Sequence, residues 1–109
     1  KIALLKHNVS LIDTTNDVDA KAQIIEYKQE TEIAVMQIDV SIKQKNNVCT
    51  SAVAIYRKAN QVLELTGNPK IQRDKDTFMA QEIRLDINSE EITLDGKVRG
   101  SVADEETSE

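Results

Sequence analysis

Apolar and polar residues alternate with a period of two along most of the chain. Ile38-Asp39-Val40-Ser41-Ile42-Lys43, Ile83-Arg84-Leu85-Asp86-Ile87 and Ile92-Thr93-Leu94-Asp95 alternate without error, and Val62-Leu63-Glu64-Leu65-Thr66 nearly does. Successive strand side chains point to opposite faces, so each run predicts a strand with one apolar and one wet face. The breaks carry turn chemistry: Asp13-Thr14-Thr15-Asn16-Asp17, Lys45-Asn46-Asn47, Gly67-Asn68-Pro69, Asp74-Lys75-Asp76 and Asn88-Ser89-Glu90. Helix competes for Ala20 to Glu32, rich in Ala, Gln, Lys and Glu. That stretch aligns with clearer strands later in the chain and is assigned as strand. The expected fold class is all-β, with about ten short antiparallel strands.

The chain also repeats itself. A shift of 29 residues places Tyr27 on Tyr56, Met36 on Leu65, Ile42 on Ile71 and Cys49 on Phe78, and a second shift places Leu65 on Leu94 and Gly67 on Gly96. A backward shift of 31 places Val9 on Val40 and Leu11 on Ile42. Units of this kind share a core with their neighbours, and terminal copies need caps or partners. Neither end shows a cap. Lys1-Ile2-Ala3-Leu4-Leu5 begins in mid-strand, and Lys97-Val98-Arg99-Gly100-Ser101-Val102 is followed only by an acidic tail. Ile2, Leu4, Leu5, Val98, Arg99 and Val102 are therefore the candidate edge-strand assembly residues.

Gly67-Asn68-Pro69 marks a corner between strands, because proline has no N–H for the ladder. The matching corners read His7-Asn8-Val9, Ile38-Asp39-Val40 and Gly96-Lys97-Val98. Gly67 and Gly96 accept a positive φ freely. His7 and Ile38 do not, so the first two corners are expected to be built differently.

Composition narrows the function. The chain has 109 residues, which favours one domain, and aromatics are only 3%, so the core must be aliphatic. Fourteen bases face nineteen acids; without the tail at 103–109 there are fifteen acids, and the body is nearly neutral. A nucleic-acid partner is not expected, for want of a dense basic face or stacking aromatics. No apolar run reaches membrane-spanning length. The chain begins at Lys1 rather than Met and is read as a processed or truncated piece. The expected organisation is one domain over residues 1–102 and a disordered acidic tail over 103–109.

The stretch Ala54-Ile55-Tyr56-Arg57-Lys58-Ala59-Asn60-Gln61-Val62-Leu63-Glu64-Leu65-Thr66-Gly67-Asn68-Pro69-Lys70-Ile71 resembles the OstA-like repeat of the LptA family. Phe78-Met79-Ala80-Gln81-Glu82-Ile83-Arg84-Leu85-Asp86 and Ile92-Thr93-Leu94-Asp95-Gly96-Lys97-Val98 continue the likeness, which covers residues 5–102. The resemblance implies an elongated, open β-jelly roll in the periplasm that carries lipopolysaccharide between the inner and outer membranes. It implies lipopolysaccharide (its lipid A acyl chains) and related jelly-roll proteins, or further copies of the chain, as partners. The alternative is a structural β-solenoid with the same edges and no lipid cargo.

Aliphatic inward positions could leave a slot for acyl chains, each buried CH₂ contributing about 0.8 kcal/mol. The candidate lining residues are Met36, Val40, Ile42, Leu65, Ile71, Phe78, Ile83, Leu85 and Leu94; the alternative is that they pack on one another. No catalytic residue, cofactor or metal is expected. His7 stands alone, Cys49 reads as a small buried hydrophobe, and the turn acids Asp13, Asp17, Asp19, Asp74 and Asp76 lack calcium-loop spacing. Lys43, Lys45, Lys70, Arg73, Arg84, Lys97 and Arg99 are read as wet-face or turn cations.

Overall fold

The alternating segments form one antiparallel meander that is bent along its length. The structure, a computed structural model, describes residues 2–101. Ten strands are found among them: β1 (Ile2–Asp13), β2 (Val18–Lys28), β3 (Ile33–Gln44), β4 (Asn47–Arg57), β5 (Val62–Thr66), β6 (Lys70–Arg73), β7 (Asp76–Met79), β8 (Glu82–Asp86), β9 (Ile92–Asp95) and β10 (Arg99–Ser101). The stretch that competed as helix is strand β2 as far as Lys28, and residues 29–32, expected as strand, form a turn. All pairings are antiparallel in one sheet, and among the described residues the outer edges of β1, β9 and β10 carry no paired strand. The first four strands are longer than expected, at 11–12 residues. Two arms of β4 pair separately with β5 and β6. The chain thus makes seven passes: β1, β2, β3, β4, β5 with β6, β7 with β8, and β9 with β10.

The passes bend at the repeat corners, and here the structure corrects the sequence. All four corners use the same backbone: φ is +74° and +55° at His7-Asn8, +69° and +54° at Ile38-Asp39, +78° and +52° at Gly67-Asn68, and +80° and +46° at Gly96-Lys97. The first two are not built differently. The ladder registers skip between Lys6 and Val9 and between Gln37 and Val40, placing an extra residue on the bent strand. Such bulges bend and twist a sheet. Met36 and Val40 flank one corner and are both buried, so the extra residue must be absorbed between them. Packing on both sides imposes the bend even on Ile38, for which a left-handed conformation costs roughly 1–2 kcal/mol.

The bend folds the sheet over its own apolar face. On one arm, register stacks Leu5, Ile25, Met36, Ala54, Leu65, Ile83 and Leu94 in one cross-strand row, and Ala3, Tyr27, Ala34, Tyr56, Leu63, Leu85 and Ile92 in the next. The other arm contributes the row Leu11, Ala20, Ile42, Cys49, Ile71 and Phe78. Buried alanines alternate with larger aliphatics, which lets the two arms interlock. The result is elongated, 55 × 25 × 22 Å. The tail at 103–109, and Val102, lie outside the described residues.

Candidate functional site

The nine candidate slot residues are brought together, and seven of them are closed off. Met36, Val40, Ile42, Leu65, Ile71, Ile83 and Leu85 are each at most 2% exposed and belong to one core cluster. Phe78 and Leu94 are half-buried near the C-terminal end. Among the edge candidates, Ile2, Leu4, Leu5, Val98 and Arg99 are exposed.

The opening lies at the N-terminal end. Among the described residues no strand pairs with the outer edge of β1, and Ala3 and Leu5, which share rows with buried residues, stand exposed there. They line a cleft of about 290 Å³ with Val9, Leu11, Ile25, Tyr27 and Tyr56, and Ser10, Asp13 and Lys58 add polar groups to its lining. Sequence reasoning marked the uncapped β1 edge but not this cleft, because its walls come from β1, β2 and β4, which only the fold brings together.

Polar side chains occupy the inward position at the free end of one arm. Asp13, Gln44, Asn47 and Arg73 lie one step beyond the Leu11, Ile42, Cys49 and Ile71 row. The signal was legible: Asp13, Gln44 and Arg73 recur at the repeat spacing, each two residues after an inward aliphatic. Arg73 is accordingly not a wet-face cation. It is half-buried, and its Nε donates to Asn47 Oδ1 at 2.7 Å.

This polar row meets the turns of the opposite arm. The Tyr56 hydroxyl donates to Asp13 Oδ2 at 2.7 Å, and Asn16 Nδ2 donates to the same oxygen at 3.0 Å and to the Tyr56 hydroxyl at 2.9 Å. Gln61 Nε2 donates to Asn16 Oδ1 at 2.8 Å. Farther along, Arg73 donates to the Glu90 carbonyl at 2.7 Å, and Lys45 pairs with the Glu90 carboxylate at 3.0 Å. Along the row, Gln44 donates to the Asn16 carbonyl at 3.2 Å and Asn47 to Gln44 Oε1 at 3.4 Å. These contacts form a seam joining the tips of the two arms. Among the described residues, no buried side-chain nitrogen or oxygen lacks a partner.

Burial alone would raise the Asp13 carboxyl, but hydrogen bonds from Tyr56 and Asn16 and the nearby Lys58 ammonium outweigh it and hold it below its usual range. Burial, and the bond to Asp13, push the Tyr56 hydroxyl up. Burial pushes the Cys49 thiol up to about 12. A carboxyl depressed in the folded state adds stability above its unfolded pKa, and that stability disappears as pH falls through the folded value. Wild type is therefore expected to exceed Asp13→Asn in stability by roughly 1–3 kcal/mol at pH 7. The gap should narrow as pH drops below about 4, as read from urea midpoints across pH.

The fold and its open end define a β-jelly roll of the LptA-like kind. A solved structure of similar shape is LptH, the LptA-homologous periplasmic component of the conserved lipopolysaccharide transport device from Pseudomonas aeruginosa, with a TM-score of 0.74, 9% identity, and coverage of 95% of this chain and 96% of that one. No protein-family model and no curated protein matches the sequence.

Proposed function

We propose that this chain is a non-enzymatic, periplasmic module of a lipopolysaccharide-transport bridge, holding lipid acyl chains and joining other jelly rolls through its free edges. The carrying observation is the apolar cleft beside the outer edge of β1 in an LptA-like fold. At about 30 Å³ for a water-sized group, about 290 Å³ takes on the order of ten such groups, enough for one acyl chain. Each methylene removed from water contributes about 0.8 kcal/mol. Lys58 at the rim can meet a lipid phosphate.

The edges fit assembly. The seven antiparallel passes make β1 and the β9/β10 pass run in the same direction, so copies stacked by translation would pair them in parallel. Ile2, Leu4 and Leu5 are exposed on both faces of the β1 edge, and Val98 precedes the β10 edge. Arg99, at the start of β10, is the polar member of that edge.

A photoreactive residue at Leu11 is expected to capture lipopolysaccharide, whereas one at Lys21, on the outer face, should not. In the same preparation, cysteines at Leu4 and Val98 should crosslink separate copies or related jelly rolls. No capture at Leu11, Leu65 or Leu85 would overturn the lipid reading and leave the scaffold alternative.

A further inference from the structure

We propose that the polar seam between the arm tips is a latch that opens as a unit while the strand ladders stay paired, turning the sealed aliphatic interior into a lateral slit. The seam joins two rows of turns that no backbone ladder connects. It is held by Asp13, Asn16 and Arg73 on one side and Tyr56, Gln61 and Glu90 on the other. Two of those four bonds are uncharged amide and hydroxyl contacts, of the kind that water can replace at small net cost, while the other two engage the Asp13 carboxylate and the Arg73 guanidinium and hold more strongly. The Lys45–Glu90 pair is about half exposed on both sides, and such pairs hold weakly. The ladders are a different matter: β1 to β4 pair almost continuously over 11–12 residues each. Across the part of the molecule built from β1 to β4, the boundary without a backbone ladder therefore runs along the seam. Local opening along a low-stability boundary, with the rest folded, is common in proteins.

Directly beneath the seam lies an aliphatic layer. Gln44 and Asn47 form the polar row, and Ile42, Cys49 and Ile71 form the next row inward, all fully buried. Parting the arms exposes that layer along its length, which the N-terminal cleft does not reach. Its use as a lipid entry route rests on the proposed carrier function; the opening itself does not.

Cys49 is a natural reporter. It is free, and with its side chain at 0% exposure it cannot react while the seam is shut. N-ethylmaleimide labelling of the full chain, without lipid, is followed across urea concentrations below the unfolding transition. The expected result is a labelling rate with a urea slope far shallower than the global m-value, rising about tenfold in Asn16→Ala, which removes two bonds across the seam. Glu90→Ala, an exposed change, should raise the rate about twofold with the fold intact. Labelling that follows the global slope, or a shallow component untouched by both variants, overturns the latch: the first means that only unfolding exposes Cys49, the second that it is reached elsewhere, as by detachment of β6 and β7. Either failure leaves lipid capture at the N-terminal cleft standing, and failed capture leaves the labelling result standing.

Discussion

Replacing Gly67 with alanine is expected to destabilise the protein by about 2–4 kcal/mol, as measured by urea unfolding. Two effects add. The residue holds φ at +78°, where a Cβ is unfavourable by roughly 1–2 kcal/mol. A Cβ built there also sits 2.6 Å from the Cβ of Ala52 on the neighbouring strand. Overpacking of this kind costs about 1–3 kcal/mol. The smaller conformational freedom of alanine in the unfolded chain returns about 0.4–1 kcal/mol. Adding Ala52→Gly should recover the contact part of the loss but not the backbone part, and the double-mutant cycle separates them. Ile38 occupies the equivalent corner position, is 52% exposed and has φ at +69°. Ile38→Gly should therefore act in the opposite direction and raise stability by roughly 0.5–1 kcal/mol. A destabilised Ile38→Gly would show that the four corners are not energetically equivalent.

Leu65→Ala is expected to lower stability by about 2–5 kcal/mol. Leu65 is fully buried and sits mid-row, register-paired with Ala54 on one side and Ile83 on the other. Truncation removes apolar burial and leaves a cavity beside residues held by ladders on both sides, which limits collapse. A side chain lining an empty slot would lose far less, because no packed neighbour is deprived of contacts. The size of the loss thus separates a packed interior from an open trough. A loss below about 1 kcal/mol would return Met36, Leu65 and Leu85 to the status of slot walls in the resting protein. A large loss makes the seam, or the N-terminal cleft, the place where any acyl chain first meets the apolar interior.

Much of the architecture was readable from residue order. Strict alternation at Ile38–Lys43 and Ile83–Ile87 fixes which side chains face inward, since a strand has a period of two. The 29-residue repeat brings Met36, Leu65 and Leu94 into one row, because equivalent residues of stacked units must meet equivalent neighbours. Gly67-Asn68-Pro69 announced a corner through local chemistry alone. His7 and Ile38 were placed at corners by the repeat and not by their own chemistry, because their preferences oppose the conformation that the core on either side demands.

The seam was half legible. Asp13, Gln44 and Arg73 break the apolar pattern at inward positions, which marks them as polar groups needing partners. Their partners could not be read. Asp13 bonds Tyr56, 43 residues away, and Lys45 meets Glu90 at a separation of 45 residues. The repeat spacing does not encode those pairings; they follow from how far the sheet bends and how one row of turns is offset against the other. The sequence alone therefore determined the strands, their inward faces and the stacking of the copies, all of which follow from local periodicity. Only the tertiary structure decided that the arms close over a packed interior and that a cleft opens beside β1, because both depend on summed bend angles and on which strands those bends bring together rather than on any residue's own preference.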